Sequence, residues 1–286
     1  MKIICSKFAE HISKKLASKP YNVDVLFTGK NDDDSRVFPD GESYVSLPDA
    51  DKLKGERVVI LTCGRPNPTE CLFELDVLAT LAKEHGASSI EIFFLYFPFG
   101  MQDSSFKKGE LNIARFLCEK FKEHKMYAID LHSAKHDWTK KYITNLSAMK
   151  LILNAIKKDG INLGELQIIA PDLGSQKRLN IEGMSKTRED YYTATYTSTE
   201  KLNQQVNGKP VLVFDDMIET GGTMACAKPK CDEMGATQVL AAITHGVLSV
   251  GVERIKKTYN RLFLTNTIPN QHANVDITPL VYEAIK

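Results

Sequence analysis

The chain lacks most features that would name a function class outright. Its formal net charge is only +1 over 286 residues, so no surplus of either sign invites nucleic acid or an anionic membrane. No apolar run approaches the ~18 residues of a membrane span, and the N-terminus carries no apolar signal core. Six cysteines are scattered at positions 5, 63, 71, 118, 226 and 231 without a CxxC pair. That spacing argues against a zinc ribbon or a secreted disulfide framework, and the expectation is reduced thiols in the cytoplasm. No Gly/Ser linker, low-complexity tract or short-period repeat interrupts the chain.

What remains is an ordinary globular composition, 43% apolar and 26% charged, in a chain long enough for one large or two average domains. Short β-rich apolar runs alternate with helical stretches almost throughout. "KIIC" from Lys2 precedes a predicted helix to about Lys19. "RVVILT" from Arg57 precedes one over about 69–85, "SIEIFFLYFP" one over about 110–123, and "MYAIDLH" follows. The second half restarts with a helix over about 147–158. "LQIIAPD" then leads to a helix from Gly174, "PVLVFDD" to one from about Thr220, and "VLAAITHG" to one from Val250, before "RLFLTN". Continuous apolar strands between helices predict an α/β fold with mostly parallel sheets covered on both faces. The expected boundary lies near 146, giving domains 1–146 and 147–286. "SYVSL" and "YITNL" are candidate edge or hairpin strands.

The most informative stretch is "VLVFDDMIETGGTM", Val211 to Met224. Ligands of open α/β sheets bind beyond the carboxyl ends of strands, where Asp215 and Asp216 are expected. Thr220, Gly221, Gly222 and Thr223 then open a helix. Glycines let backbone amides approach an anion, and the helix N-terminus adds partial positive charge. The loop therefore suits a phosphate. The acids suit sugar hydroxyls, or magnesium reached through water. Phosphate beside a vicinal diol means a ribose 5-phosphate group. A plain strand–helix turn has no use for two tandem acids. There is no GxGxxG for a dinucleotide, and no lysine follows the glycines as a Walker loop requires.

This stretch resembles the phosphoribosyl-diphosphate loop of type I phosphoribosyltransferases and of ribose-phosphate diphosphokinases. Further segments point to the diphosphokinases: "RVFPDGE" at Arg36, "YFPFGMQD" at Tyr96, "DLHSAK" at Asp130, "APDLGSQKR" at Ala170, "SKTR" at Ser185, "ITHG" at Ile243 and "TNTIP" at Thr265. They follow the family's order across nearly the whole chain. The resemblance implies two tandem phosphoribosyltransferase-type domains, with the last helix packing back on the N-terminal one. It implies transfer of the β,γ-diphosphoryl group of ATP to the anomeric hydroxyl of ribose 5-phosphate, with Mg2+, in a homo-oligomeric dimer or hexamer.

Residue by residue, it implies ATP contacts at Phe38, Asp40, Glu42, Met101, Gln102, Asp103 and His132. Metal-facing groups are His132 and Asp172. Lys186 and Arg188 would neutralise the transferring group, and alternate spacing on an extended ribbon sends both cations to one side. Asp215, Asp216, Glu219, Thr220, Gly221, Gly222 and Thr223 would hold the ribose phosphate. The chain also departs from the pattern. Met101 and Ser104 stand where the family usually has arginines, and Ser175 replaces a glycine. Pro229 falls inside a predicted helix, where it removes a hydrogen bond and is expected to kink the chain. An altered nucleotide pocket leaves two alternatives open. One is the same chemistry on a larger acceptor such as ADP-ribose. The other is a non-catalytic regulatory subunit of the family.

Overall fold

Strands whose two faces are both apolar need helices above and below, and the computed structural model arranges the chain accordingly. It describes residues 1–105, 107–172, 175–176, 184–188, 194–197 and 200–286. The chain divides into two units, Met1–Leu146 with Ile277–Lys286, and Ser147–Asp276.

In the first unit the order is β1 (Lys2–Cys5), α1 (Glu10–Ala17), β2 (Val25–Phe27), β3 (Arg57–Thr62), α2 (Pro68–Glu84), β4 (Ser89–Phe94), α3 (Ile113–Lys120), β5 (Lys125–Ile129), α4 (Asp137–Tyr142) and β6 (Ile143–Leu146). The six strands pair in parallel in the order β2-β1-β3-β4-β5-β6. Ile3, Ile4, Val58, Val59 and Ile60 are fully buried, as strands covered on both faces demand. Local chemistry starts the helices. The Asn67 side chain accepts from Glu70 N at 3.2 Å, with Pro68 in the first turn, where a missing N–H costs nothing. Asn112 accepts from Arg115 N at 2.8 Å and sets the start of α3 at Ile113, later than the periodicity predicts.

"YITNL" supplies edge strand β6, but "SYVSL" forms no strand. Tyr44 N donates to Arg36 O at 2.9 Å, so the chain folds back on itself and leaves only a Val37–Ser43 bridge. Helix α9 (Thr278–Ile285) groups with this unit. Its Tyr282 ring lies 5.0 Å from Tyr21, and Arg57 Nη1 donates to Ile285 O at 2.6 Å.

The second unit contains α5 (Met149–Lys158), β7 (Gln167–Ile169), β8 (Ser185–Arg188), β9 (Ala194–Thr197), α6 (Glu200–Val206), β10 (Pro210–Ile218), α7 (Gly222–Glu233), β11 (Gln238–Gly246), α8 (Ser249–Thr258) and β12 (Arg261–Leu264). Four strands form a parallel sheet in the order β12-β11-β10-β7, and β8 and β9 form a separate antiparallel ribbon. Its core joins Ile169, Val211, Val213, Val239, Ala241 and Ile255. Pro229 does not end α7, which continues to Glu233 although position 229 offers no N–H. Of the helix expected from Gly174, only residues 175–176 are described, and both are helical.

Candidate functional site

In the first unit the candidate residues lie on loops that follow the parallel strands, where open α/β sheets bind ligands. A tight loop presents Phe38. Phe38 N donates to Glu42 O at 2.8 Å, and Gly41 N donates to Phe38 O at 2.9 Å. Gly41 adopts φ 94°, a left-handed turn that glycine takes without steric cost. Arg36 anchors the loop through Glu10 at 2.6 Å and Thr28 O at 3.1 Å. Phe38 remains 41% exposed, and its ring meets Tyr44 edge-on at 5.6 Å. Asp40 Oδ1 accepts from Glu42 N at 3.1 Å, and both acids are exposed. Behind the loop, Gly41, Glu42, Ser43, Asn67 and Thr69 line an open groove of about 770 Å³.

The loops after β3, β4 and β5 meet closely. A Cβ on Gly64 would stand 2.8 Å from Pro98, and one on Gly100 would stand 3.8 Å from His132 Cβ. Two non-glycine residues there have positive φ, Phe99 at 57° and Asp130 at 37°, a strained geometry that concentrates at functional sites. Edge strand β6 fixes the turn into His132. Asp130 N donates to Leu146 O at 2.8 Å, and Leu131 N donates to Asn145 Oδ1 at 2.8 Å. His132 is half-buried, Gln102 is exposed and Met101 is 45% exposed. Asp103 differs from these neighbours. Its carboxylate is buried, 2.8 Å from His136 Nε2 and 3.9 Å from Lys135 Nζ. Asp103 therefore organises the loop from beneath.

In the second unit β10 runs past the tandem acids to Ile218, pairing Met217 with His245 and Ile218 with Gly246. Asp215 and Asp216 therefore lie within the strand and not at its end, only 7% and 2% exposed. A buried carboxylate needs hydrogen-bond donors. Ser175 Oγ donates to Asp215 Oδ1 at 2.8 Å, and Asp216 N donates to the same oxygen at 3.1 Å. Ser175 N donates to Asp172 Oδ1 at 2.9 Å. Gln176 Nε2 donates to Met184 O at 3.0 Å, immediately before β8. Residues 175 and 176 thus tie together Asp172, Asp215 and the ribbon that carries Lys186 and Arg188. In that ribbon Lys186 pairs with Tyr196 and Arg188 with Ala194.

Glu219 and Thr220 are exposed, Gly221 is buried, and Gly222 and Thr223 are half-buried. Gly221 takes φ 75° and opens α7 at Gly222, two residues later than periodicity predicts. The loop is held from the side by α8. A Cβ on Gly251 would stand 2.0 Å from Glu219 O, so only glycine fits there. "ITHG" and "TNTIP" meet beside it. His245 Nδ1 lies 2.9 Å from Thr267 Oγ1, and Thr265 Oγ1 donates to Thr244 O at 2.6 Å.

Ser175, Gly251 and Gly64 are the participants that sequence reasoning missed as site residues. Gly251 left one signal, a glycine near the start of a predicted helix, which marks close backbone approach. Among the described residues no cluster of three or more His, Cys, Asp or Glu side chains forms a metal cage.

No protein-family model matches the chain. A curated Pyrococcus abyssi protein named ribose-phosphate pyrophosphokinase is 32% identical over 257 residues, 86% of this chain and 87% of that protein. One of the same name from Thermoplasma acidophilum is 24% identical over 295 aligned residues, spanning 100% of this chain and 98% of its own. Among solved structures, phosphoribosylpyrophosphate synthetase from Mycobacterium smegmatis superposes with a TM-score of 0.77 at 22% identity, covering 99% of this chain and 97% of that one.

Proposed function

Because this chain belongs to the ribose-phosphate pyrophosphokinase family, a family of transferases, we propose that it transfers the β,γ-diphosphoryl group of ATP to the anomeric hydroxyl of ribose 5-phosphate. The new bond joins the anomeric oxygen to Pβ. The bond between Pβ and the bridging oxygen breaks, and that oxygen leaves with AMP. The observation that carries this reading is the pair of buried carboxylates, Asp215 and Asp216, leading directly into the left-handed Gly221 loop. Acceptors for a diol and amides for a phosphate stand there within a few residues.

Phosphoryl transfer is chiefly positioning and charge neutralisation. Phe38 offers an aromatic face to adenine, with Asp40, Glu42, Met101 and Gln102 around it and Asp103 supporting their loop. Lys135, 3.9 Å from Asp103, restores a positive charge beside a segment from which two arginines of the family pattern are missing. Lys186 and Arg188 neutralise the group in flight. Thr220, Gly221, Gly222 and Thr223 receive the ribose phosphate, with Glu219 at the loop mouth. The donor chemistry fits Mg2+, which keeps several waters and is usually held by one or two carboxylates with substrate phosphates. His132 in the first unit and Asp172 in the second are the groups proposed to face it, and it would neutralise phosphate charge. None of the relatives named above carries an ADP-ribose or regulatory-subunit name, so free ribose 5-phosphate is the preferred acceptor. Six cysteines without a disulfide support a reducing, cytoplasmic setting, and family membership supports a homo-oligomer, dimer or hexamer.

The test is AMP release from ATP and Mg2+ with ribose 5-phosphate or ADP-ribose, for wild type and Lys186→Ala. Wild type turns over with ribose 5-phosphate, and Lys186→Ala loses ~10²–10³ in rate. Silence of wild type with both acceptors would remove the enzyme reading. A loss below about tenfold would remove the role of Lys186.

A further inference from the structure

Helix α8 forms a side wall of the phosphate loop, and its residues were not expected in the site. Its first turn presses on the loop at Gly251. A Cβ there would also stand 3.1 Å from Gly221 N, and a Cβ on Gly221 would meet Gly251 O at 3.1 Å. One turn further on, at i+3 and therefore on the same face, comes Arg254. Its Nη1 reaches to 3.9 Å from where a Cβ on Gly222 would sit, and Thr220 Oγ1 is 3.9 Å from that same point. The guanidinium thus stands over the first residue of α7, among the groups that would face a bound phosphate. Arg254 has no salt bridge and donates no side-chain hydrogen bond among the described residues. The neighbouring acid Glu253 is taken by His272 at 2.5 Å. A cation beside the positive end of a helix is unfavourable alone and becomes favourable when an anion arrives.

We propose that Arg254 is a phosphate-binding residue for the acceptor, brought within reach of the loop by the close approach that Gly251 permits. This rests on the reading that residues 220–223 hold the phosphate of ribose 5-phosphate. Arg254 adds a full positive charge beside the backbone amides and hydroxyls of residues 220–223. It therefore favours a phosphate monoester dianion over a neutral sugar. Its guanidinium suits bidentate contact with phosphate oxygens, which lysine reproduces only as a point charge.

The experiment is calorimetric titration of ribose 5-phosphate, with steady-state KM values, for wild type, Arg254→Gln, Arg254→Lys and Thr223→Val. Arg254→Gln is expected to weaken ribose 5-phosphate about tenfold in Kd and KM, with the ATP KM unmoved and kcat changed much less. Arg254→Lys recovers part of the loss. Added KCl weakens wild type more steeply than the glutamine variant, because an exposed charge is screened. If Thr223→Val weakens the acceptor while Arg254→Gln does not, Arg254 is a surface cation and the proposal is wrong, although the loop assignment stands. If wild type fails to bind ribose 5-phosphate, the loop assignment falls and the proposal falls with it.

Discussion

Ser175 Oγ donates to the buried Asp215 carboxylate, and its amide donates to Asp172. Removing the hydroxyl leaves a buried carboxylate short of one donor, which costs about 1–3 kcal/mol. Ser175→Ala is expected to lower the unfolding free energy from urea titration by that amount and to raise the KM for ribose 5-phosphate more than that for ATP. Equal changes in both KM values would show general loosening instead. Glu74, on α2, raises a different question. Lys7 N donates to its Oε1 at 3.1 Å, while Oε2 is buried with no partner among the described residues. Burial pushes this carboxyl from its ordinary 4.5 up to about 7. Between those values the folded protein keeps a proton that the unfolded chain releases. Stability therefore falls as pH rises from about 4.5 to about 7. Glu74→Gln should match wild type near pH 4.5 and exceed it at pH 8 by up to ~3 kcal/mol. Paired urea titrations decide this, and a difference independent of pH would count against it.

At the scale of elements, each unit uses one glycine to seat a candidate-site loop against its neighbour. Gly64 lets the loop after β3 meet Pro98 in the loop after β4, and Gly251 lets α8 meet the backbone of Glu219 and Gly221. In both places the obstructing atoms are backbone or proline ring, which cannot swing aside. An added methyl is expected to cost ~1–3 kcal/mol in stability. The kinetic consequences should separate. Gly64→Ala raises the KM for ATP, and Gly251→Ala raises the KM for ribose 5-phosphate. Steady-state kinetics with each substrate varied in turn measures this. Crossed effects, with Gly64→Ala acting on the acceptor, would contradict the assignment of the two loops.

At the scale of the molecule, the first unit is completed by residues distant in sequence. Val281 and Ile285 of α9 are fully buried, and Arg57, which also holds Glu91 at 2.7 Å, donates to Ile285 O. Deleting residues 277–286 exposes apolar surface worth ~3 kcal/mol or more. Trp138 is the chain's single tryptophan and lies in the first unit, so its fluorescence reports that unit's unfolding. The deletion should move the fluorescence transition to lower urea. An unmoved transition would mean that α9 contributes nothing to the unit.

Alternating apolar runs and helical stretches predict parallel sheets from sequence alone, because only a strand covered on both faces is apolar at every position. "DDMIETGGT" likewise marks a candidate site, since tandem acids beside adjacent glycines are the residue types that a diol and an anion would need. Ladder length was not legible. β10 runs beyond its acids because β11 is there to pair with Met217 and Ile218, and that pairing buries two carboxylates that local pattern places at a strand end. "SYVSL" has strand composition, yet Arg36 and Tyr44 close a loop instead, since β-propensity yields to the hydrogen bonds actually available. Ser175 meets Asp215 across 40 residues, and Gly251 meets Glu219 across the α7–β11 excursion. A local pattern states that a face must be buried or a carboxylate must be paired. Only the packed tertiary structure decides which of many chemically equivalent partners arrives, because that choice depends on shape and distance and not on residue type.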